Sequence, residues 1–247
     1  MTDGVLLYAL IGFAAQLVDG ALGMAFGVIS SSILLSFGIH PAAVSATVHA
    51  AECISTGASA ASHHAFGNID KKLFLRLLPA AVLGAIIGAY VLSNLSADFI
   101  KPYITFYLML MGVVIIVKAF KMYPPKEVTS HVGTLGFFGA LLDVMGGGGW
   151  GPIVSTNLIA RGNDIKTTIG SVNAVEFFVT LSASATFFMT IGFAQHLDII
   201  VGLALGGAVA APLAALLCKH VPVKPLMLAV GALITGLSFY NFVNVVF

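Results

Sequence analysis

The sequence predicts an all-α polytopic membrane protein of two inverted repeats. Each repeat is expected to be a broken or re-entrant helix plus about three transmembrane helices, about eight hydrophobic segments in total. Three observations predict this: a composition too apolar for a soluble surface, a series of membrane-length segments, and an internal duplication. Of 247 residues, 59% are hydrophobic and 9% charged, with a mean hydropathy of +1.04. Soluble domains average about 45–50% apolar and ~25% charged residues. So few charges cannot coat a soluble globule of this length, and the composition excludes a disordered chain, a coiled coil and a small disulfide scaffold. The formal net charge of +1 leaves no basic patch for nucleic acid. Cys53 and Cys218 lie in apolar stretches and are expected as free thiols.

The apolar segments run from about Gly4 to Ile39, Pro41 to Phe66, Leu73 to Leu95 and Phe99 to Phe120, then Val132 to Ala160, Ile165 to Phe193, Leu197 to Cys218 and Val223 to Phe247. Each reaches the ~20 residues that carry a helix across the ~30 Å hydrocarbon core. The polar stretch from Lys118 to Ser130 divides the chain into an N-terminal repeat (1–120), a linker (121–131) and a C-terminal repeat (132–247). The first segment, about 35 residues or ~50 Å of helix, is too long for one span and too short for two. It carries Asp19-Gly20-Ala21-Leu22-Gly23 in its middle, and the fifth carries Asp143 to Pro152 with four consecutive glycines. Glycine runs and proline break helices, and broken backbone at membrane depth must be covered by protein or line a watery cavity.

The halves align at an offset of about 124 residues, and about fifteen of about 55 positions are identical in the first block. Leu17, Asp19, Gly23, Gly27 and Ser31 pair with Leu141, Asp143, Gly147, Gly151 and Ser155. Val48, Ala50, Glu52 and Thr56 pair with Val172, Ala174, Glu176 and Thr180. Lys101-Pro102 pairs with Lys224-Pro225 after a one-residue slip.

The basic residues choose the topology. If every segment crosses once, Lys and Arg divide almost evenly between the two sides. If the first and fifth segments enter, break and return, every Lys and Arg except Lys101 falls on one face. Three crossings per half then invert the repeats, a recurrent transporter plan. Eight full crossings remain the alternative.

Ionisable groups at membrane depth cost at least ~2.5–3.5 kcal/mol each, so Asp19 and Asp143 are expected to face an interior cavity. They are candidates for proton coupling, and equally for capping the half-helix that returns from each break. His49, Glu52, Thr56, Ser59 and His63 are spaced for one helical face, and Asn173, Glu176 and Thr180 repeat part of that stripe. Glu52 and Glu176 complete the proton-coupling set. Thr56, Thr180 and Ser59 read as interhelical hydrogen bonds. His49 is either a proton relay or a buried neutral ring.

Glycines at a break expose helix N-termini, which bind anions without a basic residue. The substrate-binding set is therefore Gly23, Gly27, Ser31, His49, Gly147, Gly148, Gly149, Trp150, Ser155 and Asn173, with Ser30, Ser32, Thr156 and Asn157 as further hydroxyl and amide candidates. The glycine run lacks the following Lys-Ser or Lys-Thr of a nucleotide loop, and His49-Ala50-Ala51-Glu52 lacks the second His of a metalloprotease helix. No enzyme, cofactor or resident metal is expected.

The stretch Asp143 to Pro152 with Ile169 to Phe177, and its counterpart Asp19 to Met24 with Val48 to Glu52, resemble the sulfite exporter TauE/SafE family of membrane permeases. The resemblance covers essentially the whole chain. It implies a carrier in the cell inner membrane that exports sulfite or a small organosulfonate such as sulfoacetate. Members commonly carry a glycine cluster and a proline in both halves; here the first half has Gly23-Met24-Ala25-Phe26-Gly27-Val28 instead. The expectation is a proton-coupled secondary transporter working by alternating access. A cation or metal-ion permease is the alternative, since buried carboxylates and His49 could ligate a cation. Expected partners are a small anion and the lipid bilayer, with a homodimer left open.

Overall fold

The computed structural model describes residues 2–22, 24–120, 131–160, 163, 165–193, 196–217 and 223–246. Among them the structure is entirely helical: α1 (Thr2–Leu22), α2 (Phe26–Ser36), α3 (Pro41–Ala65), α4 (Lys71–Ser93) and α5 (Ala97–Lys118), then α6 (Val132–Gly146), a π-helical turn (Gly151–Ser155), α7 (Thr156–Ala160), α8 (Ile165–Thr190), α9 (Leu197–Leu217) and α10 (Val223–Val246). Local chemistry sets many of these ends. Pro41 opens α3, where its missing N–H is harmless. Asp70 caps α4 by accepting from the N–H groups of Lys72 and Leu73 at 2.8 and 3.2 Å.

The first and fifth segments break where the sequence places the breaks. The first becomes α1 and the short α2; the fifth becomes α6, the π turn and α7. Gly147, Gly148 and Gly149 all adopt positive φ (75°, 151° and 141°), which ends α6. Pro152 plays a different part from the one expected. It is no breaker: it lies in the first turn of the returning half-helix, a position that tolerates proline.

Packing between helices shows the symmetry. The first helix of each half lies along the fourth of the other, α1 on α9 and α6 on α4, while α3 pairs with α8 and α5 with α10. On α3 and α8, Cys53 meets Ser184, Thr56 meets Thr180, Gly57 meets Phe177 and Ser59 meets Asn173. One number rises as the other falls, so the pair is antiparallel, and the equivalent threonines Thr56 and Thr180 meet where the two halves exchange. On α5 and α10, Phe106 meets Phe242, Gly112 meets Thr235 and Ile116 meets Gly231, again antiparallel. By contrast α1 and α9 run parallel: Gly202 lies against Val5 and Tyr8, and Gly206 against Ala9 and Phe13. α4 and α6 do the same, with Gly84 against Phe137 and Gly88 against Leu141 and Val144.

A two-fold relation across antiparallel equivalent helices lies perpendicular to them, hence in the membrane plane, which makes the repeats inverted. Eight full crossings would run α3 and α8 parallel. The antiparallel pair therefore selects the re-entrant plan. Every described Lys and Arg except Lys101 then sits at one end of the bundle, at the starts of α4, α8 and α10 and the end of α5.

Among the described residues, four helices, Lys71–Ser93, Ala97–Lys118, Thr167–Thr190 and Lys224–Val246, are long and apolar enough to cross a membrane. Helix α3 has the length, at 25 residues, but its polar stripe keeps it from counting as apolar. It lies inside the bundle, with Ala42 to Ala51 buried apart from the half-buried Ala50. Large apolar side chains such as Leu75, Tyr103, Phe106, Phe188 and Leu205 face outward, as lipid-facing surface requires.

Candidate functional site

The two breaks meet. Gly148 of the second packs against Gly27 at the start of α2, and the Ser31 hydroxyl donates to the Gly147 carbonyl. Between them lies one cavity lined by Asp19, Met24 to Val28, Glu52, Asp143, Gly149 to Pro152, Asn173 and Glu176. The space open to a water centre is about 20 Å³, room for roughly one water and not for a sulfonate.

Four acids from four elements converge on this cavity: Asp19 on α1, Glu52 on α3, Asp143 on α6 and Glu176 on α8. The aspartates also do what the sequence left open. Asp19 Oδ1 accepts from the Phe26 N–H at 3.2 Å, and Asp143 Oδ1 accepts from the Trp150 N–H at 2.9 Å. Each carboxylate thus caps the half-helix returning seven residues later, and does so in the cavity wall. Glu52 lies against Gly27: a Cβ there would sit 3.2 Å from its Oε1 and 2.8 Å from Gly148 Cα.

The first turn of α2 and the Gly151–Ser155 turn present their N-terminal residues to the cavity. Ile29 and Ile153 are the first residues to bond back, to the Ala25 and Gly149 carbonyls at 3.0 and 2.9 Å. By position, the N–H groups of Gly27, Val28 and Gly151 have no partner within their helices, and Pro152 has none to offer.

Of the other residues of the expected binding set, Ser31, His49, Gly147, Gly148 and Ser155 are not in the wall. Gly147 and Gly148 make the contact between breaks, and Ser31 buttresses it. His49 is fully buried, with Nε2 3.2 Å from Asp143 Oδ2. Ser155 is buried in the π turn. Asn173 lines the cavity yet donates to Ser59 Oγ at 3.1 Å. Gly23 lies outside the described residues. The further candidates are committed elsewhere: Ser32 pairs with Ser238, Thr156 donates to the Gly151 and Pro152 carbonyls, and Asn157 donates to Ile153. Ser30 is buried without a hydrogen-bond partner.

Three contributors had no sequence signal. The Tyr107 hydroxyl on α5 donates to the Gly148 carbonyl at 3.0 Å, fixing a glycine that has no side chain to hold it. Lys118, which the sequence marks only as the start of the polar stretch and as one of the basic residues of one face, donates its amine to the Pro152 carbonyl. Ser45, one turn before His49, donates to the Val144 carbonyl at 2.5 Å and ties α3 to the end of α6.

The family model for sulfite exporter TauE/SafE proteins matches residues 8–241, across both breaks and both acid pairs. The chain belongs to this family. It is 37% identical over 249 residues to the probable membrane transporter protein YtnM of Bacillus subtilis (strain 168), an alignment covering 97% of this chain and 83% of the relative. No solved structure matches it. The protein is a membrane transporter of the TauE/SafE family.

Proposed function

We propose that this chain is a secondary transporter that exports a small sulfur-containing anion, sulfite or an organosulfonate such as sulfoacetate, through the site between its two breaks. The observation that carries the reading is the convergence of two half-helix N-termini and four carboxylic acids on one cavity. The helix N-termini supply attraction for an anion without a lysine or arginine in the wall. The carboxylates supply the opposite. An anion can enter a low-dielectric site beside Asp19, Glu52, Asp143 and Glu176 only when enough of them are protonated. Anion binding and proton binding therefore favour each other, and the substrate moves with protons as an acid equivalent.

The contracted cavity admits roughly a water, so an anion enters only when the halves part; rocking of one repeat against the other is the motion that inverted repeats support. Export runs down the gradient of an anion produced inside the cell. In this reading the end bearing most Lys and Arg faces the cytoplasm, and the chain is a multi-pass carrier of the cell inner membrane. It is read as a carrier and not an enzyme.

A cation permease is the second reading, because the wall is acidic. Among the described residues, however, no three of His, Cys, Asp and Glu are grouped closely enough to hold a metal ion. Sulfite and sulfoacetate flux into proteoliposomes, with and without a pH gradient, tests the proposal. The expected result is anion flux that rises with acidity and that weakens in this dependence in Glu52→Gln and Glu176→Gln. Unchanged pH-dependent flux in both variants would remove the glutamates from the coupling, and flux of sodium or a divalent metal in place of the anions would favour the second reading.

A further inference from the structure

His49 Nε2 and Asp143 Oδ2 lie 3.2 Å apart, with side-chain exposures of 0% and 4%. Their surroundings fix more than proximity. His49 Nδ1 lies 2.8 Å from the Ser45 carbonyl oxygen, which only accepts. It also lies 3.2 Å from Ser45 Oγ, whose single hydrogen goes to the Val144 carbonyl, so that oxygen too can only accept. Nδ1 facing two acceptors must carry a hydrogen. The neutral ring then has a bare Nε2, and bare Nε2 faces a carboxylate oxygen at 3.2 Å. Two lone pairs cannot face each other there with a buried charge left uncompensated. A second proton must sit between Nε2 and Oδ2, whether carried by the ring or by the acid.

We infer that the His49–Asp143 dyad is a proton-binding element of the carrier, holding one exchangeable proton beyond that of Nδ1. This deepens the transport reading proposed above and rests on it for the role of the proton, though not for its existence. The fully buried His49 lies behind the cavity wall, whereas Asp143 is part of it. The proton enters and leaves through Asp143 Oδ2. With the proton the dyad is neutral; without it the dyad carries one negative charge beside the cavity and repels an anion. Only one half is so equipped. The counterpart of Asp143 is Asp19, but the counterpart of His49 is Asn173, which cannot titrate and donates to Ser59.

Other titratable groups bear on the dyad. Asp19 (α1), Glu52 (α3) and Glu176 (α8) share its wall, and on α5 the Tyr107 hydroxyl and the Lys118 amine reach the same break at Gly148 and Pro152. α2 has none, and those of α4, α9 and α10 lie toward helix ends.

The test has two arms on the full-length protein. The first is independent of transport. Nitrogen-15 NMR of the histidine rings, with His49 assigned by His49→Asn, is combined with infrared spectra of the carboxyl stretch against Asp143→Asn. If those variants fail to fold, His49 is assigned in a chain with the other six of the seven histidines replaced. The expected result near neutral pH is Nδ1–H together with either an imidazolium or a protonated Asp143. A neutral ring beside an ionised Asp143, in either tautomer, would overturn the inference. The second arm is sulfite flux into proteoliposomes between pH 6 and pH 8. One coupled proton gives up to about a tenfold change in apparent affinity per pH unit. His49→Asn should flatten that dependence, and Glu52→Gln alone should leave a proton-dependent component. A wild-type pH profile in His49→Asn would overturn the dyad's role. Absence of sulfite flux in the wild-type protein would count against the transport reading, and the spectroscopic arm would still decide the dyad.

Discussion

The two breaks share a plan and differ in chemistry. At both, an aspartate caps the returning half-helix seven residues on, through Phe26 at the first and Trp150 at the second. At both, an aromatic follows the turn and is buried, Phe26 at 3% exposure and Trp150 at 1%. The turns themselves differ. The second uses three glycines at positive φ, whereas the first places Ala25 at φ 107°, a conformation that costs a side-chain-bearing residue of order 1–3 kcal/mol. The second is also more heavily held, by Tyr107 on Gly148, Lys118 on Pro152, Ser31 on Gly147 and His49 on Asp143. Duplication has kept the half-helix geometry and let the polar partners diverge, so one break carries the His49–Asp143 contact and the other carries strain.

The largest effect is expected at the contact between breaks. A Cβ on Gly148 would sit 2.8 Å from Gly27 Cα, at a φ of 151° that disfavours any side chain. Gly148→Ala should part the breaks and leave little folded protein, as read by the yield of monodisperse protein in detergent. Gly38 lies in an open turn, where an added methyl would meet nothing within 4 Å. It should tolerate the same change far better despite its positive φ.

Next comes the difference between the aspartates. Asp19→Ala removes a cap, worth about 0.5–2 kcal/mol. Asp143→Ala removes the same cap and strands a buried His49, adding about 1–3 kcal/mol. The thermal midpoint should therefore fall further for Asp143→Ala. Equal losses would mean that the His49 contact contributes nothing.

The smallest effect has the opposite sign. Ala25→Gly gives the first break the chemistry of the second, relieving strain against a glycine entropy cost of about 0.5–1 kcal/mol. A gain of about 1 kcal/mol or less is expected, measured as a small rise in thermal midpoint. A loss would show that Ala25 is held by packing and not strained.

Much of the fold could be read in advance because its determinants are local. Aspartate and glycine recurring at one offset marked both breaks, and the lysines and arginines selected an odd number of crossings per half. The acids of the site were legible for the same reason: a carboxylate inside an apolar segment has few inexpensive places to go. What was not legible depends on which helix lies beside which. Tyr107 is one aromatic among many on an apolar helix, and only the approach of α5 to the second break gives its hydroxyl a partner. Ser31 and Ser155 align with the glycines by spacing, yet spacing could not tell that Ser31 would be spent on a backbone carbonyl. Pro152 was readable as a break, but proline breaks a helix only beyond its first turn, and where that turn begins depends on the glycines ahead of it.

Joint binding of an anion and protons at one site between the breaks is open to direct measurement. Purified, weakly buffered protein is titrated with sulfite, thiosulfate, sulfoacetate and isethionate, and binding heat and proton uptake are followed together. Saturable binding of at least one of these anions is expected, with protons taken up as it binds and less uptake in His49→Asn and Glu176→Gln. Anion binding with no proton uptake, or binding of sodium or divalent metals in place of every anion, would contradict a proton-coupled anion site.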